Sequence, residues 1–121
     1  MIEMIDVPGE GTLGFAAKGE VTASDYETVL VPAIEKALAE HDKISLLYVL
    51  GDDFSGYDMA AMWDDTKVGM SHLFSWKRIA MVTDHEGYRR MVQGFGFLIP
   101  AEVKVFPAAE LEAAKEWVAA V

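Results

Sequence analysis

Apolar and polar residues alternate weakly over Met1 to Val7, break at Pro8-Gly9, and resume in the largely apolar, glycine-bounded stretch from Thr12 to Lys18. That pattern predicts a β-hairpin. From Thr22 the period changes. Tyr26, Val29, Leu30, Ala33, Ile34, Ala37 and Leu38 recur at helical spacing, with Thr22 as N-cap and Asp25 three residues on, so a helix is expected through to Glu40. Pro32 lies inside it and is expected to kink it, because its ring removes one hydrogen bond.

Residues 44–50 are apolar except for Ser45 and show no sustained alternation, which predicts a central strand buried on both faces and closed by Gly51-Asp52-Asp53. A helix is expected over about 58–74, with Met59, Met62, Trp63, Met70, Leu73 and Phe74 as its apolar stripe. Residues 78–83 form the next strand. Asp84 then caps a helix carrying Tyr88, Met91, Val92 and Phe95, which Gly94 and Gly96 end early. A strand over 101–106 follows, and a final helix over 108–120 turns Leu111, Ala114, Trp117 and Val118 inward.

The order β-β-α-β-α-β-α-β-α implies an α/β fold. It is a single domain with a mostly parallel five-stranded sheet, an antiparallel hairpin at its edge and about four covering helices. Ligands in such folds collect at the carboxyl ends of the strands. Those ends lead into Gly51 to Tyr57, Thr83 to Glu86, and Phe106-Pro107.

Composition narrows the function. The 121 residues suffice for one domain with its own core. Cysteine is absent, which excludes thiol chemistry and suits a reducing cytoplasm. The apolar runs fall far short of the ~20 residues of a spanning helix, and the N-terminus lacks the pattern of a secretory signal, so a cytoplasmic location is expected. A net charge of -10 opposes nucleic acid as a general partner.

Several chemical motifs fail on context. Gly9, Gly11 and Gly14 match the letters of a dinucleotide fingerprint, but strand-like residues follow them where that motif needs a helix N-terminus. Asp52, Asp53 and Asp58 fit no cation loop, and Ser55 and Asp58 are ordinary residues for entering a helix. His41, His72 and His85 lack ligand spacing, so no metal and no cofactor are expected. No catalytic constellation stands out, which points away from an enzyme.

The positive charge is concentrated. From Lys67 to Arg90 five basic residues (Lys67, Lys77, Arg78, Arg89, Arg90) face two acidic ones, +3 there against -13 in the rest of a chain of net charge -10. Beside this stretch lie the apolar stripe of 58–74 and the run Phe95, Phe97, Leu98 and Ile99, carried on a backbone loosened by Gly94 and Gly96. The same residues suit a plain core. Apolar surface rimmed by positive charge on an acidic molecule also suits a lipid or an anionic membrane.

Thr22-x-x-Asp25-Tyr26-Glu27, Asp53-Phe54-Ser55-Gly56, Ala61-Met62-Trp63-Asp64-Asp65-x-Lys67, Arg78-Ile79-Ala80-x-Val82-x-Asp84 and Ala114-x-x-Trp117 together resemble the SpoIIAA-like bacterial proteins, over nearly the whole chain. That family is grouped with STAS domains and the lipid-carrying SEC14 (CRAL-TRIO) fold. The resemblance implies a sheet backed by helices, no established enzymatic activity, and a hydrophobic-ligand or membrane-facing surface around the apolar residues above. Ser55 falls where anti-sigma-factor antagonists are phosphorylated, but Phe54 replaces the preceding serine, and the phospho-switch is not carried over.

Two functions follow as expectations. One is a peripheral protein that binds a lipid or hydrophobic small molecule and touches the inner face of the membrane, with the five basic residues meeting the head groups. The other is a STAS-like interaction module using the same patch against another chain or as a homodimer.

Overall fold

In the computed structural model, which describes residues 1–57, 75–95 and 101–120, five strands form one sheet in the order β1-β2-β3-β4-β5. They are β1 (Ile2–Ile5), β2 (Thr12–Val21), β3 (Ile44–Tyr57), β4 (Trp76–Val82) and β5 (Glu102–Phe106). β1 pairs antiparallel with β2 at one edge, and every other pairing is parallel. The glycine-rich segment before β2 is therefore a hairpin connection, as its context indicated. Packing of the hairpin needs the glycine at position 14. A Cβ there would collide with the Val7 side chain and stand 2.9 Å from the Ile5 carbonyl oxygen.

Each strand pairs with its neighbour in the chain, and the sheet grows in one direction. A right-handed crossover from β2 to β3 places the first helix on one face, and the helix after β5 returns over the other. The first helix, α1, covers residues 23–40 and buries Tyr26, Leu30 and Ile34 against Phe15, Val21, Ile44, Tyr48 and Leu50. On the opposite face α3 (Leu111–Ala119), entered through the 3-10 turn Ala108–Glu110, buries Ala114 and Val118 against Leu47, Ala80, Val82 and Phe106. Between them in sequence, α2 (Glu86–Phe95) links β4 to β5. The expected helix over 58–74 lies outside the described residues.

The start of α1 is a capping box. Thr22 N–H donates to Asp25 Oδ2 at 2.8 Å, and Asp25 N–H donates to Thr22 Oγ1 at 3.4 Å. The Met1 ammonium group lies 3.1 Å from the same carboxylate. Burial raises the Asp25 pKa, but the Thr22 backbone N–H, the Met1 ammonium and the Thr22 hydroxyl outweigh it and hold the carboxyl below its ordinary value. Further along, Pro32 does not break the helix. A π-helical turn, Tyr26–Leu30, precedes it, and Val31 N–H reaches back five residues to the Tyr26 carbonyl. The disturbance expected at Pro32 takes the form of a widened turn that accommodates the missing donor.

Two strands depart from the reading of the sequence. β3 does not close at Gly51-Asp52-Asp53 but continues to Tyr57. Between Ala17 and Val21 β2 advances four residues, while β3 advances seven from Leu50 to Tyr57, so bulges take up the excess and the pairing survives the local turn signal. In β4 the register shifts between the pairs Ile44↔Trp76 and Leu46↔Ile79, which inserts one extra residue. Trp76, Ile79 and Met81 therefore pack toward α1, while Ala80 and Val82 pack toward α3. Arg78 accompanies them.

Asp84 also differs from expectation. His85 occupies the N-cap of α2, its carbonyl accepting from Arg89 N–H at 3.0 Å, whereas Asp84 Oδ1 accepts from Ala108 N–H at 3.0 Å and caps the turn that leads into α3. Nor does Gly94 end α2, which continues to Phe95.

Candidate functional site

The carboxyl ends of β3, β4 and β5 converge. At the end of β4 the buried Thr83 donates its N–H to the Phe106 carbonyl at 3.0 Å, and its hydroxyl accepts from His85 N–H at 3.0 Å. The resulting turn sends the chain into α2 and sets the His85 ring beside the end of β3. There Phe54, His85 and Tyr88 form a three-way edge-to-face cluster, with ring centroids 5.9, 5.4 and 5.8 Å apart. Phe54 is buried, Tyr88 half-buried and His85 exposed, so the cluster runs from the core out to solvent.

Gly56 fits this arrangement because its φ of 130° is closed to most side chains. Ser55 is exposed on β3, a strand position and not the helix entry expected of it. The sequence marked Phe54, His85 and Tyr88 separately, as a motif residue, a histidine without ligand spacing and a helix-stripe residue. Their shared position at the strand ends is what joins them.

α2 carries half-buried and exposed side chains at Tyr88, Arg89, Arg90 and Val92. None of its described side chains is fully buried, whereas α1 and α3 each bury residues almost completely. Arg89 and Arg90 sit on this helix. Arg89 Nη1 donates to the Thr83 carbonyl at 3.4 Å, and the exposed Arg90 pairs with Glu86 at 3.4 Å.

The described basic residues do not form one patch. Lys77 and Arg78 lie at the opposite end of β4, roughly 20 Å away along the strand. Arg78 is committed there. Its Nε lies 2.8 Å from Glu102 Oε2, its Nη1 donates to the Trp117 carbonyl at 2.7 Å, and its guanidinium stacks 5.0 Å from the Trp117 ring centroid. The charge count along the chain missed this because it ignored which end of the strand each residue occupies. Lys67, Met59, Met62, Trp63, Met70, Leu73, Phe74, Phe97, Leu98, Ile99 and Asp58 lie outside the described residues, as do the side chains of Phe95, Asp52 and Asp53. Among the described residues no helix is long and apolar enough to cross a membrane.

Comparison with known proteins bears on the fold and the family. The SpoIIAA-like family model matches residues 12–119. The structure is similar to the crystal structure of an uncharacterized protein of the DUF3478 family with a SpoIIAA-like fold from Shewanella loihica PV-4. That similarity has a TM-score of 0.77 at 28% sequence identity, covering 97% of this chain and 93% of the other. No curated protein matches the chain. That match spans well over half of the chain, and the chain belongs to the SpoIIAA-like family.

Proposed function

We propose that this protein binds a hydrophobic ligand, without catalysing a reaction on it, at the carboxyl end of its parallel strands, and that it meets anionic membranes from the cytoplasmic side through α2. The observation that carries this reading is the Phe54–His85–Tyr88 cluster at the strand ends where α2 begins, running from buried Phe54 to exposed His85. Aromatic surface that reaches from the core to solvent at this end of a parallel sheet suits an acyl chain. Arg89 and Arg90 supply the charge on the same helix. Near an anionic surface each contributes about 1 kcal/mol, so apolar insertion must supply the rest.

The reading predicts that native mass spectrometry of freshly purified protein, followed by organic extraction, recovers an acyl species in fixed ratio. Vesicle flotation should favour anionic over neutral lipid and lose that preference in the Arg89→Glu/Arg90→Glu double variant. Clean protein at dimer mass, with equal flotation on both lipids, refutes it and favours a STAS-like interaction module.

A further inference from the structure

We propose that Arg89 is the anion anchor of this site, and that it selects a monomeric amphiphile headed by a single carboxylate, an ionised long-chain fatty acid. This inference rests on the hydrophobic-ligand reading above and adds the head group.

Among the described cations of the basic stretch, all but Arg89 are engaged, remote or screened. Arg78 is held by Glu102 and Trp117, and Lys77 shares its end of the sheet, remote from the aromatic cluster. Arg90 is paired with Glu86 and its side chain is 81% exposed, so water screens its charge. Arg89 differs on both counts. It is half-buried, and among the described residues no carboxylate pairs with it. Its contact with the Thr83 carbonyl, at 3.4 Å, is longer than the roughly 2.7–3.2 Å of a well-formed N–H···O bond. That contact uses one of its five donors.

Among the described residues the other donors of the Arg89 guanidinium have no carboxylate partner, and two parallel donors match a carboxylate in geometry as well as charge. It is tethered at Thr83, two residues before the His85 ring that joins Tyr88 and Phe54, so head-group anchor and aromatic cluster share one strand end. Arg89 carries one positive charge and balances one negative charge. On a chain of net charge -10, a dianionic head would leave its second charge opposed. A phospholipid's phosphodiester carries the same single charge, but it is presented at a bilayer surface. Arg89, half-buried and in contact with the Thr83 carbonyl, is less open to a bilayer than the exposed Arg90, which leaves it to a single ligand.

The test titrates the whole protein with cis-parinaric acid and with its methyl ester, which has the same polyene chain and no charge. Laurate and dihexanoyl-phosphatidylglycerol then serve as competitors. The acid should bind at least about tenfold more tightly than the ester at pH 8. Arg89→Gln should bring the two within about twofold, and Arg89→Lys should recover part of the gap. Acid and ester binding alike in the wild-type protein overturns the anchor while leaving the hydrophobic-ligand reading intact. Stronger displacement by the phosphatidylglycerol than by laurate overturns the carboxylate assignment in favour of a phospholipid. Binding of neither probe overturns both readings. The wild-type comparison needs no variant, so a misfolded Arg89→Gln protein does not blunt it.

Discussion

Replacing Arg78 by Met separates a structural cation from a ligand-facing one. The substitution keeps much of the aliphatic stem but removes three interactions: the ion pair with Glu102, the hydrogen bond to the Trp117 carbonyl in the last turn of α3, and the stacking on Trp117. The Glu102 side chain is 65% exposed, so that pair is worth at most about 1 kcal/mol. A charged donor on a helix-terminal carbonyl contributes more, about 1.5–3 kcal/mol, and stacking adds about 0.5–1 kcal/mol. These contributions share one guanidinium and do not add in full. A net loss of about 2–3 kcal/mol is expected.

At roughly 4 °C per kcal/mol for a domain of this size, the midpoint should fall by about 8–12 °C. Urea unfolding followed by far-ultraviolet circular dichroism measures the stability, and thermal melts measure the shift. Glu102→Gln should cost no more than about 1 kcal/mol, and Arg78→Met should leave vesicle flotation unchanged. If Arg78→Met unfolds within about 0.5 kcal/mol of wild type, below even the stacking contribution alone, or Glu102→Gln costs as much as Arg78→Met, the latch is wrong. Loss of flotation in a folded Arg78→Met protein returns that residue to the ligand surface.

Three other substitutions probe separate links. Gly14→Ala drives a methyl group into Val7 and Ile5, and should cost about 1–3 kcal/mol in urea unfolding. Asp84→Ala removes the acceptor for Ala108 N–H and should cost about 1 kcal/mol, with the loss reduced in Asp84→Asn, which keeps a carbonyl acceptor. The Asp25 carboxyl titrates below its ordinary value in the folded protein, so it contributes stability above its unfolded pKa of about 3.9 that is lost as pH falls through the folded value. The stability advantage of wild type over Asp25→Asn should therefore shrink on acidification below about pH 4, and an advantage that grows instead would refute the sign.

The elements legible in the sequence were those whose signal is local. Helical spacing marked α1 and α3, turn glycines marked the hairpin, and the motif strings marked the family. What escaped depended on contacts distant in sequence. Gly51-Asp52-Asp53 carries the chemistry of a strand end, yet β2 pairs beyond it and β3 bulges to follow. Asp84 stands where a cap for α2 belongs, and its acceptor is used 24 residues later, at Ala108. Pro32 announced a disturbance without its form, because a π-helical turn and a kink both answer a missing donor. For the site, the strand ends were correctly marked as the place to look. The grouping of Arg78 with Arg89 failed because distance along a strand is invisible to a charge count.

The order of strands in the sheet has a kinetic consequence. Because each strand pairs with its neighbour in the chain, no strand must insert between two that are already joined. Assembly can start at the β1–β2 hairpin, which closes a short loop, and extend one strand at a time in the direction of synthesis. On that route α3 docks last, after β3, β4 and β5, the three strands it covers, are in place. Its attachment through Trp117 and Arg78 is then formed late, and late contacts govern how slowly a chain comes apart more than how fast it assembles. The guanidinium at the start of β4 thus acts as a brake on unfolding.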